Sequence, residues 1–119
     1  MGLFDVTQVA LQQALAGSAE RQQVLANNIA NANTPGFRRS DVDFHGALAQ
    51  AIGGGSSQLE SVGFRPQADM SSAMQADGNN VDIDTEMSNL SQNALDYQSL
   101  VELANARLKM LATAIGSTG

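Results

Sequence analysis

The sequence predicts a mainly α fold. Two long terminal helices pair as an elongated, antiparallel, coiled-coil-like hairpin, with a loose middle segment that holds short β. Three observations predict it. Met87, Leu90, Ala94, Tyr97, Val101, Ala104, Leu108, Leu111 and Ile115 step alternately by three and four, the spacing of a coiled-coil seam. Phe4, Leu11, Leu15, Ser18, Leu25, Ile29 and Ala32 keep the same phase near the other end. The composition is 43% hydrophobic, yet 119 residues include only four Phe, one Tyr and no Trp. So few bulky side chains build a thin core, and helices packed along their length suit it better than a globule. The chain divides into 1–36 (first helix and its turn), 37–80 (flexible middle) and 81–119 (last helix).

The first helix covers roughly 28 residues, or about 42 Å. Gln8 and Gln22 fill its two skipped stripe positions, and Gly17 sits mid-helix, where glycine costs about 1 kcal/mol relative to alanine. Packing therefore supplies most of its stability. Its end is crowded with Asn27, Asn28, Asn31 and Asn33, running into Thr34-Pro35-Gly36. Pro35 disfavours the helical region at Thr34 and has no N–H, so it ends the helix. Gly36 is free to take positive φ. Asparagine amides compete for backbone groups, but a helix stop does not need them on several faces. Some of these amides are expected to bond another helix or another subunit.

The run Asn27-Asn28-Ile29-Ala30-Asn31-Ala32-Asn33-Thr34-Pro35-Gly36-Phe37 resembles the N-terminal signature of bacterial flagellar axial proteins, the rod, hook and hook-associated group. The match is dense and ordered.

The middle is weaker in signal. Val42 and Phe44 alternate with polar residues, which suits a short extended piece, and 43–52 reads as a brief helix. Gly53-Gly54-Gly55-Ser56-Ser57 has linker composition. Residues 59–74 read as irregular or short β. A structureless insert of this length fits no compact domain, so the middle is expected to become ordered on a neighbouring subunit.

Asp77-Gly78-Asn79-Asn80 carries overlapping turn signals. Asp84 stands where an N-cap is expected, with Glu86 in the first turn. Acids at the start and Arg107 and Lys109 towards the end suit the helix dipole, and Gly116 is a natural stop. The seam is expected to bury Leu90, Tyr97, Val101, Leu108 and Leu111 against Leu11, Leu15, Leu25 and Ile29.

The stretch from Asp77 to Met87, followed by Tyr97-Gln98, resembles the approach to and start of the C-terminal helix in flagellar rod proteins. Arg38-Arg39-Ser40-Asp41-Val42-Asp43-Phe44 after the Pro-Gly turn, and the short length, resemble the proximal rod members most. The resemblance covers roughly 3–50 and 77–116. It implies a structural subunit that is exported by the flagellar type III apparatus and polymerises through its terminal helices into a tube. Its implied partners are further copies of itself, other rod proteins and the rod–membrane-ring junction. The alternatives are another member of the proximal rod group and a generic helical-hairpin adaptor.

Other classes lack support in the residues. The formal charge of −6 argues against nucleic acid. No apolar run reaches the ~18 residues of a membrane span. Met1-Gly2-Leu3-Phe4-Asp5 lacks a basic n-region, so no cleavable signal peptide is expected. Val6 stands where a myristoylation site has Ser or Thr. Cysteine is absent, and the single histidine, His45, has no nucleophile or metal-spaced partner. The acidic run 77–86 fails the calcium-loop pattern at its fifth, sixth and twelfth positions, Val81, Asp82 and Ser88. It reads as a turn followed by an N-cap, the alternative being an acidic surface that pairs with Arg38 or Arg39 across a subunit boundary. No catalytic residue, cofactor, metal or small-molecule substrate is expected. The residues expected at subunit interfaces are Leu11, Leu15, Leu25, Asn28, Ile29, Asn31, Asn33, Leu90, Tyr97, Val101, Leu108 and Leu111.

Overall fold

A computed structural model describes residues 3–118. Met1, Gly2 and the side chain of Phe4 lie outside what is described. The elements are α1 (Leu3–Ala30), β1 (Ser40–Asp41), α2 (Phe44–Gly53), α3 (Ser56–Glu60), β2 (Gln67–Ala68) and α4 (Ile83–Thr118). The molecule is a rod of 67 × 26 × 14 Å. Its axis is the pair α1/α4, and β1 and β2 form one antiparallel ladder with Ser40 opposite Ala68 and Asp41 opposite Gln67.

The helix pair is antiparallel. Asn28 reaches Glu86 at 3.1 Å, Asn93 reaches the Ser18 carbonyl at 2.9 Å, and Arg107 reaches Gln8 at 3.3 Å. From Arg107, α4 runs eleven residues further, to Thr118, whereas α1 extends only five residues back from Gln8, to Leu3. The last six or so residues of α4 therefore project past the start of α1. Gly116 lies inside α4 rather than ending it.

The face that α4 turns to α1 is shifted by one residue from the expected seam. Glu86 and Asn93 are fully buried and Leu100 and Arg107 half-buried, at intervals of seven. Within the seam itself, Leu90, Val101, Ala104 and Leu111 are only half-buried. Met87, Tyr97, Leu108 and Ile115 are exposed, Leu108 at 56% and Ile115 at 74%. The expected burial of Tyr97 and Leu108 against α1 does not occur. The reason lies on α1, where Leu11 and Leu25 are buried but alternate with buried Ser18 and with Gln8 and Gln22. A buried amide or hydroxyl needs a partner. Asn93 partners both: its Oδ1 accepts from the Ser18 hydroxyl at 3.4 Å, and its Nδ2 donates to the Gln22 oxygen at 2.8 Å and to the Ser18 carbonyl. An apolar seam opposite Ser18 and Gln22 would leave them without bonds.

The apolar core sits off the helix pair, under the middle segment. Val42, Phe44, Leu48, Ala51 and Leu59 close over Ala14, flanked by Val6, Val9, Ala10, Val24, Val62, Phe64 and Leu100. The middle is thus ordered on its own subunit, which corrects the expectation that a neighbour orders it. Residues 44–53 form the brief helix the sequence predicts, with Asp43 accepting from the Gly46 N–H at 3.0 Å as its cap. The Gly-Ser stretch is not a free linker. Gly55, at φ 95°, turns the chain directly into α3, which delivers the fully buried Leu59. Gly17 marks the contact between α1 and this layer. A Cβ there would stand 2.6 Å from the Phe44 Cβ and 3.1 Å from the Phe64 ring. The residue that weakens α1 locally is what lets α2 approach.

Candidate functional site

Two polar stretches, Asn27–Asp41 and Asp69–Glu86, meet at the closed end of the helix pair and form a hydrogen-bonded knot. α1 ends at Ala30, and the chain turns through 31–36 with backbone bonds from Ala32 to Ile29, Thr34 to Asn31 and Phe37 to Thr34. Gly36 takes φ 75° as expected. Its N–H donates to the Asp77 carbonyl at 2.8 Å, and it packs against Gly78, itself at φ 84°. Both turn positions need glycine for their positive φ, which L side chains rarely adopt.

Asn28 is fully buried. Its Oδ1 accepts from the Ser40 N–H at 3.0 Å, and its Nδ2 donates to the Ser40 carbonyl at 2.7 Å and to Glu86 Oε2 at 3.1 Å. The amide thereby imitates a neighbouring strand along the open edge of β1. Asn79, also fully buried, donates to the carbonyls of Asn31 and Thr34 at 2.9 and 2.8 Å and accepts from the Val81 N–H. Asn80 accepts from the Arg39 N–H at 2.6 Å and donates to the Asp69 carbonyl. A side-chain amide has one acceptor and one donor group, so it can satisfy two chain segments at once.

Charge completes the knot. Arg39 donates through Nε to Glu86, through Nη1 to Asp69 at 3.0 Å and through Nη2 to Asp41 at 3.3 Å. Arg21 holds Asp41 from the other side, at 2.8 and 3.2 Å. Burial alone would raise the Asp41 carboxyl, but the Arg21 hydrogen bond and the Val42 N–H outweigh it and hold it below the usual carboxylate range. The Ser72 hydroxyl, then the Ser71 N–H and hydroxyl, and then Arg39 push Asp69 well below that range. Burial works against the Arg39 guanidinium, yet its bonds to Glu86 and Asp69 raise its pKa. The guanidinium spreads its donors over three carboxylates in a fixed plane, whereas a lysine would offer a single compact ammonium. Among the described residues, no buried side-chain nitrogen or oxygen lacks a partner.

The knot assigns several residues differently from the sequence reading. Asp82, not Asp84, caps α4, accepting from the N–H groups of Asp84 and Thr85. Arg39 pairs within its own subunit rather than across a boundary. Among the described residues, Arg38 makes a weak contact with the Met70 sulfur. His45 is exposed, beside Phe44 and 3.5 Å from Asp96.

Comparison with known proteins addresses the same stretch. Residues 9–38, from α1 through the asparagine run to the end of its turn, match the family model described as flagella basal body rod protein. The FlgB protein of Bacillus subtilis (strain 168) is 35% identical over 129 residues, covering 97% of each chain. FlgB of Aeromonas hydrophila is 35% identical over 116 residues, covering 87% of this chain and 88% of its own. FlgB of Proteus mirabilis (strain HI4320) is 34% identical over 118 residues, covering 84% and 86%.

The chain belongs to the FlgB family of flagellar basal body rod proteins.

The sequence signature alone leaves the member of the proximal rod group open, and relatives 34–35% identical over 84–97% of this chain place it with FlgB. As a FlgB-family member, the chain is a structural subunit of the basal body rod. The interface residues expected from sequence fall into three groups. Leu11, Leu25 and Asn28 are buried inside the subunit, and the Asn28 amide bonds Ser40 and Glu86 rather than a neighbour. Leu15, Ile29, Asn31, Leu90, Val101 and Leu111 are half-buried, with Asn31 bonded to Asn27 at 2.9 Å. Asn33, Tyr97 and Leu108 are exposed. Sequence reasoning missed the bonding roles of Asn79, Asn80 and Asn93, and read Glu86 as a helix-dipole acid within a surface acidic run. The available signal was the seven-residue interval from Glu86 through Asn93 and Leu100 to Arg107, which marks a second face beside the apolar seam.

Proposed function

We propose that this chain polymerises through α1 and α4 into the proximal rod, the drive-shaft of the basal body. Its neighbours are further copies of itself, other rod proteins and the rod–membrane-ring junction. It reaches that place through the flagellar type III export apparatus. The observation that carries this reading is the exposed apolar surface of α4. Met87, Leu95, Tyr97, Leu103, Leu108, Met110 and Ile115 are between 43% and 74% exposed on one helix. A helix apolar on several sides belongs inside an assembly, and α1 covers only one side of this one. The interface residues supported are Tyr97 and Leu108, with Leu90, Val101, Leu111, Leu15, Ile29, Asn31 and Asn33 at their margins.

The test is to locate the chain in purified basal bodies and to follow rod assembly and swimming. Cells producing a normally exported Leu108→Glu variant are expected to lack rods. Wild-type rods containing that variant would sink the terminal-helix reading.

A further inference from the structure

Three sides of α4 are distinguishable. One faces α1 through Glu86 and Asn93. A second, carrying Tyr97, Val101 and Leu108, borders a notch between the helices lined by Ala19, Gln22, Gln23, Ala94 and Tyr97. The third carries Leu95, Leu103 and Met110, exposed at 65%, 56% and 70%. These three are eight and seven residues apart, with Ser99 and Ala106 between them. At 3.6 residues per turn they form a ridge on the side of α4 roughly opposite Tyr97, Val101 and Leu108. The first α4 side is used within the subunit. The other two are a groove and a ridge of the same helical periodicity, and neither has a cover.

We infer that the Leu95–Leu103–Met110 ridge of one copy seats in the α1/α4 groove at Ala19, Ala94 and Tyr97 of the next copy. This rests on the reading that the chain polymerises, and it names the contact. Three observations favour a second copy as the occupant. Both halves of a convex–concave pair are present on one chain. The crest of the ridge is uncharged through Leu95, Ser99, Leu103, Ala106 and Met110, with Asp96 and Glu102 along its borders, and the notch is uncharged through alanines, glutamines and Tyr97. Copies carrying a net charge of −6 repel one another, so neutral faces are where they can approach. The size also fits: a ridge about 22 Å long and one helix wide covers only a few hundred Å², well under the ~800 Å² per partner of a stable complex. One such contact does not hold a dimer in dilute solution. In the rod each inner copy makes this contact twice, once through each face, and it acts together with the assembly's other contacts. Because the two faces differ, the contact is heterologous and repeats from copy to copy in a ring or an open helical array.

The natural sequence has no cysteine, so thiol cross-linking reports only placed residues. One tagged copy carries Leu103→Cys and a second, differently tagged copy carries Ala19→Cys, and both are produced in the same motile cells. A short bis-maleimide is applied to purified basal bodies. The expected product is the mixed dimer, with little self-dimer of either variant, and a chain carrying both cysteines gives a ladder of multimers. Both positions are exposed, and unchanged circular dichroism verifies that each variant folds. Self-dimers in place of mixed dimers, or no cross-link in rods that assemble normally, overturn the inference while leaving the rod reading intact. Absence of the chain from basal bodies removes the rod reading and the inference with it.

Discussion

The closed end of the helix pair and the outer sides of α4 are built on opposite plans. At the closed end, asparagines, arginines and carboxylates lie inside: Asn28, Asn79 and Glu86 are fully buried with every described polar atom bonded. Along α4, leucines, methionines and Ile115 lie outside. The subunit fixes its own shape largely with directional hydrogen bonds and leaves apolar area for contact. Hydrogen bonds have a geometry that sets register, whereas apolar burial is non-directional and proportional to area. A part that must present one defined shape and then join others is well served by that division.

The comparison is broken most severely at its charged centre. Arg39→Ala leaves the buried Glu86 without its cation, and removing one partner of a buried pair typically costs about 3–5 kcal/mol. Denaturant unfolding is expected to show that loss. An unchanged midpoint would mean that the knot contributes nothing to folding.

Next comes the amide that closes β1. Asn28→Ala strands the Ser40 N–H and carbonyl and one Glu86 bond, and an unsatisfied buried group costs about 1–3 kcal/mol. The isolated subunit should therefore lose stability before assembly is in question. Rods lost with full subunit stability would restore an intersubunit role for this asparagine.

Gly17→Ala sharpens the same comparison on the apolar side of α1. Better helix propensity gains up to about 1 kcal/mol, but the Cβ meets Phe44 at 2.6 Å, and overpacking costs about 1–3 kcal/mol. Net destabilisation with loosened amide protection in α2 is the expected outcome of a melt and a hydrogen-exchange map. A more stable variant would show that α2 can move away freely.

Acid should affect the knot late. Asp41 and Asp69 are held below the ordinary carboxylate value, so their stabilising contribution is complete above about pH 4, the unfolded-chain range. It declines as pH falls through their lowered folded values. Amide exchange at Val42 and Ser71, whose N–H groups donate to Asp41 and Asp69, should show constant protection from pH 7 to pH 5 once corrected for intrinsic rate. Loss of protection within that window would contradict the bonding described for both carboxylates.

The smallest effect on folding is expected at the exposed seam. Leu108→Ala removes a side chain already 56% exposed, and surface changes usually stay within about 0.5 kcal/mol. Unfolding should be nearly unaltered while rod assembly falls. A loss of several kcal/mol in the isolated chain would place Leu108 in the subunit interior, as the heptad pattern by itself suggests.

By itself the sequence determined the two long helices, their antiparallel pairing, the Pro35-Gly36 turn, α2 and the family. Each rests on local rules, periodicity, proline and glycine chemistry or an ordered motif, that need no knowledge of distant partners. Only the tertiary structure decided which side of α4 faces α1, because that depended on what lay opposite. Ser18 and Gln22 require hydrogen-bond partners, and Asn93 lies one residue off the apolar seam at the matching height. The same dependence hid the knot. Arg39, Asp69, Asn80 and Glu86 are separated by up to 47 residues, and each alone reads as a solvated turn or helix-end residue. A long-range polar contact leaves no period in a sequence, since its geometry exists only once two distant turns have been brought together.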